Sequence, residues 1–363
     1  MIPDLVSSCF ELVNIYSVSH QEESISEYVL EQLSECSWLE VEVIDSEIVA
    51  KSNLGLPKRV LFAGHLDTVP SSGNFPGRIE GDSCWGLGSV DMKAGLSVFL
   101  ELAKNITKPS MDVTFVFYTC EEVDRSYSGL GKLYQQRPDL IKADAVVLGE
   151  PSGAKIEAGC QGTMRILLKL TGVRAHTARP WMGRNAIHRL HLVLAFLNDY
   201  DPRSVLIDGC EFKESLQAVK IEGGIANNVV PDEVNLAINF RFAPDRNVDQ
   251  AFDHLKILLE PFIESEDGDS IELIEGVEGA LPNLSNPVLA SLAEKAGSVN
   301  AKLGWTDVAT FSSMGVPATN FGPGDPGLAH SPTEHVTKQD LETVYKILFE
   351  LCSQTKEQEI ESK

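Results

Sequence analysis

The chain has 363 residues, of which 43% are hydrophobic and 23% are charged, and this composition excludes a disordered, collagen-like or fibrous protein. Its 30 Lys and Arg residues against 53 Asp and Glu residues give a formal net charge of −23, which argues against non-specific binding to nucleic acid or to an anionic membrane. No apolar run reaches the roughly 18 residues of a membrane helix, and the seven cysteines form no CxxC motif, so we expect reduced thiols in a cytoplasmic protein.

The first part of the chain alternates predicted strands and helices. The spacing of Ser19 and Glu22 is that of a helix-capping box, which predicts the start of a helix. Continuous apolar runs then predict buried central strands, which lead into His65, the pair Glu121 and Glu122, and Glu150. Helices are predicted between the strands over residues 92–105 and 129–136. This alternation indicates a mainly parallel sheet that is covered by helices.

The pattern changes after residue 162. Strands are predicted over residues 163–171, 216–222, 233–242 and 270–275, and helices over residues 185–198 and 248–264. The order β-α-β-β-α-β is that of a ferredoxin-like sandwich. The α/β character then returns, with helices over residues 287–297 and 338–352, a strand over residues 318–321 and a frayed polar tail after Cys352. We therefore expect a discontinuous α/β domain of residues 1–162 and 276–363 that is interrupted by a domain of residues 163–275.

Side chains with metal-binding chemistry follow the first predicted strands. His65 and Asp67 are two residues apart in an extended segment, so both point to one face. A carboxylate in that position can fix the tautomer of a metal-bound imidazole, whereas the ordinary alternative is a hydrogen-bonded turn. Asp91 lies where a glycine-rich loop meets a helix. It is either a helix cap or a carboxylate that bridges two metal ions.

Further acids and one histidine follow in adjoining loops. Glu121 and Glu122 would repel each other at a buried strand end unless cations neutralised them, and a solvated acidic turn is the alternative. With a metal present, one would be a ligand and the other a general base. Glu150 and His330 are common at turns when taken singly. Because parallel strands end at one edge of a sheet, all these groups together predict a site for a zinc-like ion.

The interrupting region contributes three weaker candidates. His176 and the pair Asn227 and Asn228 have the sequence setting of ordinary turn residues. Arg241 lies inside a predicted strand and is expected to pair with a carboxylate of the protein or of a ligand.

Taken together, the motifs identify a family resemblance. GHLDTVP, GLGSVDMKAG, TCEEV, LGEP, AHTARP, NNVVP and AHSPTE occur in an order that resembles the di-zinc aminoacylase/carboxypeptidase family of metallopeptidases. The resemblance runs from the first helix to the last. It implies a zinc-peptidase-like catalytic domain over residues 1–162 and 276–363. It also implies that residues 163–275 form a ferredoxin-like lid and dimerisation domain.

The resemblance also implies a cofactor of two Zn²⁺ ions per subunit, with Co²⁺ as a substitute. The implied ligands are His65, Asp91, Glu122, Glu150 and His330. Asp91 would bridge the ions, with His65 and Glu150 at one of them and Glu122 and His330 at the other.

The remaining candidates take their roles from the resemblance. Asp67 would orient His65, and Glu121 would be the general base that deprotonates the attacking water. His176 would reach an active site across a homodimer formed by the interrupting domain. The residues implied for substrate binding are Arg241 and one of Asn227 and Asn228.

Within the family, EAGCQGTMR, GGIANNVVPDE and NFGPGDPGLAH are most similar to actinobacterial succinyl-diaminopimelate desuccinylases. This implies hydrolysis of a small anionic substrate, N-succinyl-L,L-2,6-diaminopimelate, in lysine biosynthesis. Some desuccinylases have Arg-Gly where this chain has Gln161-Gly162, so one cationic contact to the substrate would be missing. Acetylornithine deacetylases, aminoacylases and glutamate-releasing carboxypeptidases share the implied metal site. A non-catalytic binding or scaffold protein is the alternative from another class.

Overall fold

A computed structural model describes residues 2–353, so nearly all of the polar tail predicted after Cys352 lies outside the described residues. The chain divides into two compact units. The first contains the residues up to Ala158, Pro282–Asn300 and those from Thr310 onwards, and the second contains Gly159–Leu281 and Ala301–Ala309. The predicted interruption of residues 163–275 falls within the second unit, whereas the short return over residues 301–309 lies outside the predicted bounds.

The secondary structure alternates through the first unit and is mainly antiparallel in the second. The α-helices are α1 (Leu5–Val13), α2 (Glu23–Ser34), α3 (Lys93–Asn105), α4 (Gly129–Gln136), α5 (Ala186–Asp199), α6 (Val248–Leu259), α7 (Pro287–Ala296), α8 (Val308–Ser313) and α9 (Lys338–Cys352). The β-strands are β1 (Glu40–Ile44), β2 (Glu47–Lys51), β3 (Arg59–His65), β4 (Arg78–Glu80), β5 (Ser83–Trp85), β6 (Asp112–Tyr118), β7 (Ala145–Leu148), β8 (Ile156–Ala158), β9 (Gly162–Thr171), β10 (Ala175–His176), β11 (Ser204–Ile207), β12 (Cys210–Lys213), β13 (Ser215–Gly223), β14 (Val229–Val230), β15 (Glu233–Phe242), β16 (Ser270–Val277), β17 (Val299–Ala301), β18 (Ala318–Asn320) and β19 (His335–Thr337).

A sheet in the order β1-β2-β6-β3-β7-β18-β8-β17 forms the centre of the first unit. The four middle strands, β6, β3, β7 and β18, run parallel to one another. Their residues are buried on both faces because they are continuous apolar runs, as in Val60–Ala63. The prediction of a mainly parallel sheet in an α/β fold is therefore confirmed.

The register of the parallel strands brings their carboxyl ends to one edge. His65 ends β3 and lies opposite Tyr118, which ends β6. Ala63 of β3 lies opposite Leu148, which ends β7 two residues before Glu150. The segments that follow these strands therefore meet at this edge, where open α/β sheets collect their functional groups.

The second unit contains an antiparallel sheet in the order β13-β15-β9-β16. Buried residues alternate with partly exposed ones along β9 and β15, because one face of the sheet is packed and the other is not. The packed face shares a core with α5 and α6, which includes Ile166, Leu168, Leu236 and Leu255. The predicted β-α-β-β-α-β arrangement is thus confirmed.

Two predicted helix features are wrong. Ser19 and Glu22 form no capping box, since α2 begins after Glu22 without a side-chain cap and the Ser19 hydroxyl bonds to Asp67 instead. The helix predicted over residues 248–264 ends at Leu259 and continues only as a 3₁₀ turn containing Pro261. Proline has no N–H to continue the helical bonding and its ring obstructs the preceding turn.

Within residues 2–353, no helix combines the length and the apolar character that a membrane span requires. All seven cysteines are buried as free thiols, as the sequence predicts.

Candidate metal centre

Imidazole and carboxylate groups converge at the carboxyl edge of the parallel sheet. The potential ligand atoms of His65, Asp91 and Glu150 all lie within 4.8 Å of one another, and the same is true of Asp91, Glu122 and His330. Asp91 belongs to both groups. The structure thus brings together five residues that are spread from position 65 to position 330 of the chain. His65, Glu121 and Glu122 form a third group whose potential ligand atoms are equally close.

The geometry of Asp91 suits a bridging ligand. Its Oδ1 lies 3.2 Å from Nε2 of His65, and its Oδ2 lies 3.4 Å from Nε2 of His330. The same His330 nitrogen is 2.9 Å from Oε1 of Glu122. Oε1 of Glu150 lies 3.9 Å from Nε2 of His65. The two oxygens of Asp91 therefore face different imidazoles, and each of these imidazoles also has a second carboxylate beside it.

The electrostatics of the centre favour cations. Hydrogen bonds to Asp91 and Glu122 raise the pKa of His330 to about 10, against a smaller opposing effect of burial. Burial opposes the charged form of His65, but contacts with Asp67 and Asp91 hold the pKa of that imidazole well above its usual range. The clustered carboxylates thus draw positive charge to this edge. Imidazole nitrogens and carboxylate oxygens are also the donors that zinc and similar divalent ions take, so the residues fit a pair of such ions.

Asp67 holds the segment that carries Glu121 and Glu122. Its fully buried carboxylate accepts hydrogen bonds from the backbone N–H groups of both glutamates, each at 3.0 Å, and from the Ser19 hydroxyl at 2.7 Å. Burial raises the pKa of Asp67, but His65 and these donors together hold it at about 2. Nδ1 of His65 lies 3.0 Å from the Asp67 carbonyl oxygen and 3.5 Å from its Oδ1.

Three parts of this arrangement do not follow from the sequence. The local pattern around Asp67 predicts only its contact with His65, not the hydrogen bonds that the Glu121 and Glu122 N–H groups donate to it. Ser19 was interpreted as a helix cap. Glu334 was missed as well, although it closes the motif AHSPTE, and its buried carboxylate contacts the loop that carries Asp91.

The loop that carries Asp91 has an unusual backbone. Gly88 has a φ of +76°, and a Cβ atom at this position would lie only 2.8 Å from Cγ2 of Thr68. Glycine is therefore required both for the conformation and for the space. The peptide bond between Asp91 and Met92 is cis.

In the second unit, the structure brings His176 and Asn228 close together. His176 pairs with Val229 between β10 and β14, and the N–H of Thr177 donates to the Asn228 carbonyl at 3.0 Å. Nδ1 of His176 accepts a hydrogen bond from the N–H of Ala178 at 3.0 Å. In the neutral imidazole, the proton is therefore on Nε2, which is left as a donor.

Arg241 and Gln161 of the same unit have different surroundings. Burial lowers the pKa of the Arg241 guanidinium, and no carboxylate within residues 2–353 forms an ion pair with it. Gln161 is 1% exposed, and its Nε2 donates to the Lys213 carbonyl at 2.7 Å. The Gln161 amide therefore serves packing within its own unit.

Comparison with known proteins extends over nearly the whole chain. The profile of "Peptidase family M20/M25/M40" matches residues 61–354. A Mycobacterium tuberculosis protein with the provisional name succinyl-diaminopimelate desuccinylase DapE is 47% identical over 327 residues, which cover 90% of this chain and 91% of the relative. Succinyl-diaminopimelate desuccinylase of Corynebacterium glutamicum is 41% identical over 350 residues, which cover 94% of each chain. The Bacillus subtilis YXEP protein, described as a dinuclear metal-binding peptidase of the M20 family, superposes with a TM-score of 0.67 at 15% identity and covers 96% of both chains.

Proposed function

This chain belongs to peptidase family M20/M25/M40, and from that premise we propose that it hydrolyses N-succinyl-L,L-2,6-diaminopimelate to succinate and L,L-2,6-diaminopimelate. One observation carries the proposal: the chain is 47% and 41% identical, almost from end to end, to two proteins named for this activity. The L,L-2,6-diaminopimelate formed would be used in lysine and diaminopimelate biosynthesis.

Two Zn²⁺ ions per subunit are the proposed cofactors, and Co²⁺ is a plausible substitute because it accepts the same donors. His65, Asp91 and Glu150 would hold one ion, and Asp91, Glu122 and His330 the other. The support is the grouping of these donors within 4.8 Å of one another around a shared carboxylate. When bound, such ions activate water and polarise the amide carbonyl.

Glu121 is proposed to move the proton. Its carboxylate would take a proton from the attacking water and then deliver it to the amine nitrogen that leaves. The two Asp67 bonds at 3.0 Å support this role, because they fix the backbone of Glu121 and Glu122 together. Asp67 would thus hold the general base Glu121 and the metal ligand Glu122 in fixed positions relative to each other.

His176 is proposed to stabilise the oxyanion that forms at the amide carbonyl. The Ala178 N–H holds Nδ1 as an acceptor, so Nε2 carries the proton that such a role requires. Asn228, which adjoins His176, and its neighbour Asn227 are proposed to contact the substrate. Arg241 would bind a substrate carboxylate, for which its guanidinium has no competing ion pair among residues 2–353. A chain of net charge −23 needs such a local positive group to hold an anionic substrate.

The second unit is proposed to serve as a lid and as the interface of a homodimer. Strand β13 lies at the edge of its sheet and presents Val219 and Ile221 at 55% and 49% exposure. Helix α5 packs against β13 and exposes Ile187 and Leu192 at 39% and 55%. An edge strand has one side without a neighbouring strand, and with exposed apolar side chains beside it, that side can pair with a second copy of the chain.

A cytoplasmic location is proposed as well. Seven cysteines remain as buried free thiols in the structure. Proteins that meet an oxidising compartment usually pair their cysteines, whereas cytoplasmic proteins keep them reduced. The proposed biosynthetic substrate is likewise an intracellular metabolite.

A substrate comparison tests the proposed function. The purified, zinc-loaded protein is incubated separately with N-succinyl-L,L-2,6-diaminopimelate, N-acetylornithine, an N-acetylated neutral amino acid and a peptide with a C-terminal glutamate. We expect kcat/KM to be highest for the succinylated substrate by at least about 100-fold, because an analogue that leaves polar groups of the site unpaired is strongly rejected. Preference for one of the other three would indicate another amidohydrolase of the family. No hydrolysis of any of them would favour a binding or scaffold protein, against which the complete donor set argues.

A further inference from the structure

Glu334 lies directly before β19, and only 2% of its surface is exposed. Its Oε1 accepts hydrogen bonds from the backbone N–H groups of Val90 at 2.9 Å and Asp91 at 3.1 Å, and its Oε2 accepts one from Gly88 at 3.1 Å. A charged carboxylate bonds N–H groups more strongly than a neutral acceptor does. One side chain therefore holds three amides of a single loop.

The backbone of Glu334 makes a separate connection. His335 of β19 pairs with Trp85 of β5, and the N–H of Gly86 donates to the Glu334 carbonyl at 3.1 Å. This ladder already joins the two chain segments through backbone groups alone. The bonds made by the Glu334 carboxylate are therefore additional to strand pairing, and their purpose must be sought in the loop that they hold.

The two segments that meet at Glu334 carry ligands of the proposed metal centre. Asp91 is the last of the three residues whose N–H groups are bound, and His330 lies four residues before Glu334 in the other segment. Asp91 reaches His65 at 3.2 Å with one oxygen and His330 at 3.4 Å with the other. A small displacement of the Asp91 backbone would therefore change both distances at once.

Building on the proposed function, we infer that Glu334 is a positioning residue of the metal centre. Its carboxylate holds the backbone of residues 88–91 so that the Asp91 carboxylate stays between His65 and His330. Residues that support metal ligands in this way typically change metal affinity or activity by about 10- to 100-fold when they are replaced.

Glu334→Gln is the primary test. The amide keeps the shape of the side chain but offers a single acceptor oxygen, and its NH₂ group opposes at least one of the backbone N–H groups. Asp112→Asn is the matched control. Asp112 is also a buried carboxylate that accepts backbone N–H bonds, from Leu54 at 2.9 Å and Leu56 at 3.0 Å, but it begins β6 and so lies at the opposite edge of the sheet.

Two measurements are made on the full-length wild-type, E334Q and D112N proteins. Metal-free protein is titrated with Zn²⁺ against a competing chelator, which gives the dissociation constant of each bound ion. Hydrogen–deuterium exchange is then followed in the peptide that contains residues 86–91, first without metal and then with Zn²⁺. Circular dichroism establishes beforehand that each protein is folded.

We expect E334Q to bind at least one of its two Zn²⁺ ions about 10- to 100-fold more weakly and to exchange faster over residues 88–91. D112N should match the wild type in both measurements. Dissociation constants within about twofold of wild type in a folded E334Q protein would overturn the inference, as would unchanged exchange in the metal-free protein. A wild-type protein that binds fewer than two Zn²⁺ ions would instead refute the proposed metal centre, and the exchange data would still report on the role of Glu334.

A second variant covers the case in which E334Q does not fold. Glu334→Asp keeps the charge and retracts the carboxylate by one C–C bond, about 1.5 Å. It should weaken Zn²⁺ binding in the same direction, and wild-type affinities in folded E334D would overturn the inference. If neither variant folds while D112N does, Glu334 serves folding rather than metal positioning, and the inference fails.

Discussion

Replacing Asp67 with asparagine should damage stability and turnover together, because one carboxylate supports several parts of the centre. The single asparagine oxygen can accept only some of the hydrogen bonds that the Asp67 carboxylate accepts from Ser19, Glu121 and Glu122. Its NH₂ group would face at least one backbone N–H in a position that is fully buried. The variant therefore loses a charge and leaves a donor without an acceptor.

The magnitude follows from the pKa of Asp67, which the folded protein lowers from 3.8 to about 2. A tenfold change in proton affinity corresponds to about 1.4 kcal/mol, so the charged form of Asp67 contributes about 2–3 kcal/mol to the metal-free protein. Because the pKa is lowered on folding, this contribution is present above about pH 4 and is lost as the pH falls towards 2. An unsatisfied buried N–H costs a further 1–3 kcal/mol or so.

Urea unfolding of the metal-free D67N protein at neutral pH should therefore show a loss of about 3–6 kcal/mol. Its kcat with zinc present should fall by about 10- to 100-fold, since the backbone of Glu121 and Glu122 is released. Asp112→Asn is again the control, because it should lose stability without losing turnover. A D67N protein with kcat within about twofold of wild type would refute the role given to Asp67, whatever its stability.

Three further outcomes are expected. Glu121→Ala should lower kcat by about 10²- to 10⁴-fold while metal analysis still finds two ions per chain, and near-normal turnover would contradict the proton-transfer role. Because neighbouring carboxylates raise the pKa of His330 to about 10, a metal ion must displace a proton from that imidazole at neutral pH. Zn²⁺ affinity should therefore rise by up to about tenfold per pH unit between about pH 6 and 8. Competition titrations that find no pH dependence would contradict the ligand assignment. Ile221→Asp on the edge strand β13 should convert a dimer to a monomer in sedimentation velocity, while Ile257→Asp, which alters an even more exposed position on α6, should not. A dimeric I221D protein would place the interface elsewhere.

The features that the sequence predicts well are those with a local period. Alternating and continuous apolar runs define strands closely, so the predicted bounds of β15 agree with the structure residue for residue. The bounds of α9 agree equally well, since Thr337 caps it and its apolar stripe is regular. The gathering of His65, Glu122 and Glu150 at one edge also follows from local patterns, because each lies at the end of a predicted central strand or within four residues after it.

The features that were missed depend on contacts between distant segments. The bond from Asp91 to Glu334 joins residues 243 positions apart, and no spacing rule connects them. The Ser19 hydroxyl satisfied a local rule for helix capping but bonds to Asp67, which is 48 positions away. In both cases a buried carboxylate accepts hydrogen bonds from backbone N–H groups of loops, and only the folded chain shows which loops are adjacent.

Succinate release from N-succinyl-L,L-2,6-diaminopimelate, measured on one preparation in metal-free and zinc-loaded forms, tests the central claim most directly. The account predicts that the metal-free protein is inactive, that activity returns in proportion to added Zn²⁺ up to two ions per chain, and that a chelator removes it again. Equal turnover in the two forms, or no turnover after both ions are bound, would contradict the account.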